Sequence, residues 1–385
     1  MGAASRPPRV GIVAGEASGD LLGSHLIKAL KARRPDIDFV GIAGPKMISA
    51  GARSLFDMDK LSVRGYVEAL RHLPEILGIR RKLKRALLAD PPDLFIGIDA
   101  PDFNLGLEAD LKARGIPTLH YVSPSIWAWR GGRIHKIARA VSEMLVVFPF
   151  EAAIYHQAGI RASYVGHPLA DMLPMQPDRA AMREQLKLSP TQPIMALLPG
   201  SRVSELEQHA QLFVDTARLI HARQPDVLFL VPLLSRATRA IFERALYSAD
   251  NPPPLHILIG HADYAMTAAD VVLVASGTAT LEAALLKRPM VITYRVPKLT
   301  AWIMRRQAYL PWVGLPNILA NRDVVPELVQ ENATPEKLAD ALLDLLTDTD
   351  KRSEIEAEFA HQHNQLRRDT AERMSDAILP YLART

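Results

Sequence analysis

The chain has 385 residues, 48% hydrophobic and 23% charged, an ordinary globular composition with enough apolar side chains for more than one core. It contains no cysteine, which excludes a disulfide framework, thiolate metal sites and a cysteine nucleophile. The net charge of +4 and pI near 9.2 point to an anionic partner, such as a nucleotide, a phospholipid or a nucleic acid, while Arg6 and Arg9 precede no apolar signal segment and no apolar run is long enough to span a bilayer.

In chain order, Arg9–Ala14 reads as a strand, Gly15-Glu16-Ala17-Ser18-Gly19-Asp20 as its turn and Leu21–Arg33 as a helix. Asp38–Ala43 is a second strand, followed by Gly44-Pro45-Lys46. Tyr66–Leu88 carries Leu70, Leu73, Ile76, Leu77, Leu83, Leu87 and Leu88 beside six basic residues, Arg71, Arg80, Arg81, Lys82, Lys84 and Arg85. An apolar face flanked by basic residues suits an interfacial membrane helix. The competing reading is an amphipathic helix packed on a sheet with its basic residues in water. Pro74 and Gly78 argue against one straight helix. Asp93–Ile98 is a strand ending on Asp99, Phe103–Arg114 a helix, Thr118–Val122 a strand leading into Ser123-Pro124-Ser125-Ile126-Trp127-Ala128-Trp129, and Met144–Phe148 another strand.

Prolines at 168, 174, 177, 190 and 193 surround a short charged helical pattern at Arg179–Leu188, so the domain boundary is placed there. The second half restarts the pattern. Ile194–Leu198, Val227–Val231, Leu255–Ile259, Val271–Val274 and Met290–Tyr294 read as strands with helices between them. Glu336–Leu346 reads as helix, and so does a charged stretch from Lys351 to about Leu382. Short apolar strands alternating with helices predict parallel sheets covered on both faces. The expected organisation is an N-terminal domain over 1–170, a linker over 171–192, a second domain over 193–350 and a helical segment over 351–385. Two doubly wound α/β domains of this kind bind ligands outside the carboxyl ends of their strands, in an interdomain cleft.

Two stretches in the second half suit a diphosphate. Ile194–Leu198 runs into Pro199-Gly200-Ser201-Arg202, and Ser204 with Glu207 has the capping-box spacing of a helix start. A helix N-terminus offers unpaired N–H groups, and the guanidinium of Arg202 adds a bidentate donor; alone, the same residues also read as a plain βα corner with a surface arginine. Ala275-Ser276-Gly277-Thr278-Ala279-Thr280-Leu281-Glu282 follows a strand and opens a helix. Small residues let a ligand approach the backbone, the three hydroxyls add donors, and Glu282 is placed to accept from ribose hydroxyls. In the first half Asp99 reads as a carboxylate able to take a proton from an acceptor hydroxyl, and Asp102 as the cap of the following helix. Glu16 faces the cleft and Asp20 reads as a cap. Trp127 and Trp129 read as a sugar or acyl platform or as a buried wall, and His167 as a histidine packed at the hinge. Neither G-x-x-x-x-G-K-[ST] nor G-x-G-x-x-G occurs, and the 12 histidines show no metal-ligand spacing.

These motifs together resemble the lipid-A-disaccharide synthases. The resemblance is carried, from about residue 10 to 330, by Gly15–Asp20, Gly97-Ile98-Asp99-Ala100-Pro101-Asp102-Phe103, Ser123–Trp129, Gly166-His167-Pro168-Leu169, Leu198-Pro199-Gly200-Ser201-Arg202 with Glu205, Ser276–Glu282 and Leu315-Pro316-Asn317-Ile318-Leu319. It implies a GT-B glycosyltransferase that joins UDP-2,3-diacylglucosamine to 2,3-diacylglucosamine 1-phosphate. The products would be a β-1→6 disaccharide 1-phosphate and UDP. It also implies a Gram-negative cell and a place on the cytoplasmic face of the inner membrane, reached through 66–88, with no nucleic-acid partner; the oligomeric state is not specified. UDP would be held by Arg202, Ser276, Gly277, Thr278, Ala279, Thr280, Glu282 and Asn317. Asp99 is the expected base with Glu16 beside it, and Arg202 with the helix dipole takes the place of a metal ion. A UDP-sugar epimerase of the same architecture and a two-lobed binding protein are the alternatives. The first needs no membrane stretch, and the second needs no cleft carboxylate.

Overall fold

The computed structural model describes residues 6–61, 66–128, 131–297, 300–302, 306 and 309–383, with 66–72 described for backbone only. Trp129 lies outside the described residues. Among the described residues the chain forms two compact units, Met1–Asp171 with Gln365–Thr385, and Met172–Asn364.

The first unit is built on a parallel sheet of β1 (Arg9–Ala14), β2 (Asp38–Ile42), β3 (Ala52–Phe56), β4 (Leu94–Ile98), β5 (Thr118–Tyr121), β6 (Glu143–Val146) and β7 (Ala162–Tyr164) in the order β3-β2-β1-β4-β5-β6-β7. The strand order reverses between β1 and β4, whose registers pair Ala14 with Ile98. Central β4, LFIGI, is buried along its whole length, as a strand covered by helices on both faces must be. Edge strands β3 and β7 are short or half-exposed and carry weak patterns, which is why the apolar periodicity did not reveal them.

Local chemistry sets the helix starts. The helix Ala17–Arg33 begins within the G-E-A-S-G-D motif rather than after it, because small residues let the first turn lie close to β1. A Cβ on Gly19 would meet that of Ala14 at 3.3 Å. Asp20 does cap a helix, though not its own: its carboxylate accepts from Lys46 N and Met47 N, each at 2.9 Å, at the start of Pro45–Ser49. The helix Tyr66–Ala89 is continuous through Pro74 and Gly78. Ile79, Leu83 and Leu87, four residues apart, are buried against the unit, while Leu73, Pro74 and Glu75 are exposed.

The second unit carries a parallel sheet of β8 (Ile194–Leu198), β9 (Leu228–Leu233), β10 (Leu255–Ile259), β11 (Val271–Ala275), β12 (Met290–Tyr294) and β13 (Glu327–Val329) in the order β10-β9-β8-β11-β12-β13. It reverses between β8 and β11, with Leu198 opposite Val274. The stretch expected as a linker is part of this unit. Arg183 is buried and donates to Ala268 O at 2.9 Å, Pro190 O at 2.8 Å and the Asp270 carboxylate at 2.8 Å, and Asp270 also accepts from Ile194 N at the foot of β8. A buried guanidinium with this many partners ties the segment down. The segment 351–385 is likewise not one appendage. Ile355 and Phe359 of the helix Thr349–Leu366 pack into the second core, whereas the helix Thr370–Leu382 belongs to the first unit. There the Asp171 carboxylate accepts from Thr370 N at 2.7 Å, and Arg33 pairs with Glu372 at 3.0 Å. Among the described residues no helix is long and apolar enough to cross a membrane.

Candidate functional site

In the first unit the reversal point is flanked by the turns after β1 and β4, where doubly wound sheets open for ligands. The turns touch: a Cβ on Gly15 would come within 2.7 Å of Ala100 Cβ. Glu16 is the exposed residue at the N-cap of Ala17–Arg33. Asp99 follows β4 half-buried with φ of 48°, and Ala100 continues the left-handed turn at 43°. Two successive non-glycine residues in that region carry strain that the surroundings must hold. Asp99 N donates to Tyr121 O at 2.9 Å, and Asn104 Nδ2 donates to Asp99 O at 2.8 Å. Ala100, not an aspartate, is the N-cap of the helix Pro101–Lys112. Asp102 lies exposed in its first turn and pairs with Arg133 at 2.9 Å, so it is not the cap expected of it.

The loops after β5 and β6 form an aromatic wall. Trp127 meets Phe150 edge-to-face at 5.3 Å, Phe150 stacks with Phe148 at 5.9 Å, and the His167 ring lies 5.7 Å from Phe148. Glu151 fastens it, accepting from Trp127 Nε1 at 3.0 Å, Phe148 N at 2.9 Å and Val147 N at 3.1 Å. Burial pushes the Glu151 carboxyl up to about 7 against these hydrogen bonds, and burial pushes His167 down to about 4. Glu151 has no local sequence signature that sets it apart from a helix-start acid.

In the second unit the turns after β8 and β11 flank the reversal point. Gly200 has φ of 129°, and a Cβ there would press against Glu205. The helix starts at Val203, one residue before the Ser204–Glu207 pattern expected to cap it. Glu205 does that work, accepting from Ser201 N at 2.8 Å and Arg202 N at 3.1 Å. Arg202 is exposed, its guanidinium 3.6 Å from the Glu205 carboxylate. Gly277 has φ of 151° and open space where a side chain would stand, and Thr278 begins the next helix, Thr278–Leu285, with both residues exposed. Two helix starts thus follow adjacent strands. Ala279 is half-buried in the first turn. Two of the three hydroxyls are occupied internally: Ser276 Oγ donates to Val313 O at 2.9 Å, and buried Thr280 donates to Gly277 O at 2.8 Å. Glu282 is raised to about 6 by burial and then by Asp263.

Asn317 is fully buried. Its amide donates to Val325 O and Glu327 Oε1, both at 2.9 Å, and accepts from Val324 N at 2.8 Å and Val325 N at 3.0 Å. All its hydrogen-bonding capacity is spent within the unit, so as placed the side chain braces the 313–317 segment rather than offering itself to a ligand. Glu327 works with it, accepting from Val313 N at 2.7 Å and Gly314 N at 3.0 Å, and Leu315 N reaches Thr280 Oγ1 at 3.4 Å. Buried His209 joins the site from beneath, accepting on Nε2 from Arg295 N at 2.9 Å, which leaves Nδ1–H to donate to Pro199 O at 3.1 Å. Sequence reasoning missed Glu327 and His209, whose partners lie in turns and loops remote in sequence or on another helix. Among the described residues no group of three or more His, Asp or Glu is placed to hold a metal ion.

The model of the lipid-A-disaccharide synthetase family matches residues 10–379. The lipid-A-disaccharide synthase of Methylobacillus flagellatus is 60% identical over 376 residues, covering 97% of this chain and 100% of the relative. Among solved structures, the calicheamicin glycosyltransferase CalG4 superposes with a TM-score of 0.63 at 16% identity, over 99% of this chain and 100% of that one. The UDP-GlcNAc 2-epimerase of Neisseria meningitidis, bound to UDP-GlcNAc, does so with a TM-score of 0.62 at 12% identity, over 98% and 100%. These two likenesses show the fold, the GT-B arrangement of two Rossmann-like units, and at such identities they do not separate transferase from epimerase. The family match over nearly the whole chain does, and the epimerase and binding-protein alternatives fall away. The chain belongs to the lipid-A-disaccharide synthase family, glycosyltransferases of lipid A biosynthesis.

Proposed function

We propose that the second unit holds UDP-2,3-diacylglucosamine and that Asp99 of the first unit activates the 6-hydroxyl of 2,3-diacylglucosamine 1-phosphate. The 6-oxygen attacks the donor's anomeric carbon with inversion as its proton passes to Asp99. The bond from that carbon to the UDP oxygen breaks, and its electron pair leaves with UDP. The observation that carries this reading is the exposed guanidinium of Arg202 at the helix start at Val203, which follows a strand adjacent to the one that leads to the helix start at Thr278, at the reversal point of the second sheet. Such donors bind a diphosphate and stabilise the charge that grows on it without a metal ion. Glu282, with its carboxyl raised, suits hydrogen bonding to the ribose hydroxyls. Glu16 lines the acceptor side. The protein works on the cytoplasmic face of the inner membrane, where the exposed Leu73 and its neighbours in Tyr66–Ala89 meet the lipid surface.

The test is UDP release from UDP-2,3-diacylglucosamine with and without acceptor, in the presence of EDTA. Acceptor-dependent release that persists in EDTA is expected. Asp99→Asn keeps the shape of the side chain and removes its basicity, so turnover should fall by roughly 10²–10⁴ with UDP binding intact. Turnover like that of the wild type would remove Asp99 from the role of base.

A further inference from the structure

Beneath the Asp99 turn lies a polar island in an otherwise apolar layer. The helix Pro101–Lys112 presents Asn104 and, one turn later, Glu108 to β4 and β5. Both residues and His120 of β5 are fully buried. Glu108 Oε1 lies 2.7 Å from His120 Nδ1, and Asn104 Nδ2 donates to Asp99 O at 2.8 Å and Ile98 O at 3.3 Å. Gly97 makes the room: a Cβ there would overlap Glu108 Oε1 and approach Asn104 Cβ to 2.9 Å. Each of the three residues also carries one buried polar atom, Asn104 Oδ1, Glu108 Oε2 and His120 Nε2, without a protein partner among the described residues.

Stability does not call for this arrangement. Buried ion pairs are often matched or bettered by apolar residues of similar volume, and unpaired buried polar atoms are a cost. The neighbouring buried positions of the same helix, Leu105, Leu107 and Leu111, are apolar. What distinguishes the island is its place under two strained backbone positions that carry the candidate base.

We propose that Glu108 and His120, with Asn104, are positioning residues for Asp99: Asn104 holds the carbonyl of its left-handed turn, and Glu108 holds the His120 imidazole of the adjoining strand through Nδ1. Burial opposes the charged form of His120, but the attraction of and hydrogen bond to Glu108, with a contribution from Asp99, outweigh it and raise the imidazole above its ordinary value. Those two carboxylates are the charges that act on His120. Its ladder neighbours Gly97 and Met144 carry none, and Arg80 and the Lys84–Asp110 pair meet the helix further along, at Gly106 and beyond. The inference rests on the reading of Asp99 as base.

The experiment measures kcat, donor KM and the pH profile of kcat for Glu108→Gln, His120→Gln and the apolar pair Glu108→Leu with His120→Leu, with thermal stability recorded for each and Asp99→Asn run alongside. Expected are a kcat lower by roughly 10–100-fold, a donor KM unchanged, and a pH profile of kcat in the Gln variants that departs from that of the wild type. The Leu pair should keep its melting temperature while losing kcat, which a purely structural role does not produce. Folded variants with wild-type kcat and pH profile overturn the inference while leaving Asp99 as base if Asp99→Asn is inactive. An active Asp99→Asn overturns the base reading and this inference together.

Discussion

Asn317 separates a ligand from a brace by experiment. Asn317→Ala removes two donated and two accepted hydrogen bonds from a fully buried position. It strands Val324 N, Val325 N and Val325 O, while Glu327 Oε1 keeps Gly314 N as a donor. A buried group left unpaired costs about 1–3 kcal/mol, but local relaxation and water entry recover part of it, so a loss of about 3–5 kcal/mol is expected. For a unit of this size each kcal/mol lowers the melting temperature by roughly 2–4 °C, so calorimetry should find the second unit's transition lower by roughly 6–20 °C. UDP affinity, measured by titration on the folded variant, should fall as a consequence of a loosened 313–317 segment. Asn317→Asp should be more damaging at pH 8 than at pH 5, because its second oxygen, once ionised, faces Val325 O and the Glu327 carboxylate. An Asn317→Ala protein with an unchanged melting temperature and weakened UDP binding refutes the brace and makes the side chain a direct ligand contact.

Arg202→Ala should lower kcat/KM by orders of magnitude, since a lost charge-assisted donor at a developing charge costs roughly 3–4 kcal/mol, and Arg202→Lys should restore only part because a point charge cannot hold two oxygens in a fork; near-normal kinetics of Arg202→Ala would end its role as anchor. Glu151 keeps its proton to about pH 7 in the folded chain but loses it near 4.5 when unfolded, so between those values the folded state binds more protons and stability declines as pH rises, by about 3 kcal/mol in all. Glu151→Gln does not titrate, and its stability relative to the wild type should therefore improve from pH 5 to pH 8; a constant difference across that range contradicts the assignment. Leu73→Ser with Ile76→Ser, the first exposed and the second half-buried in Tyr66–Ala89, should weaken binding to anionic vesicles and leave thermal stability nearly unchanged, whereas a strongly lowered melting temperature with intact vesicle binding would make this part of the helix ordinary packing, for which buried Leu or Ile truncations typically cost roughly 2–5 kcal/mol.

The amino-acid sequence by itself determined what depends on near neighbours along the chain. The apolar runs that become β1, β4, β8 and β11 are visible because strands buried on both faces must be continuously apolar, and the turns at Gly200 and Gly277 are visible because their positive φ favours glycine. The ordered motifs carried the family. Tertiary structure alone decided which of these turns share a reversal point, because strand order is set by crossovers and not by periodicity. It also decided the partners of the buried polar groups. Asn317 meets Val324, Val325 and Glu327; Glu151 meets Trp127; and Glu108 meets His120 across two elements. None of these pairings has a local signal, since a side chain's partner across a sheet depends on register and helix placement. The same reason explains the helix that runs on through Pro74 and the division of the last two helices between the units. In each case packing against distant residues, Ile79, Leu83 and Leu87 on the first unit and Ile355 and Phe359 in the second core, outweighs the local preference that the sequence displays.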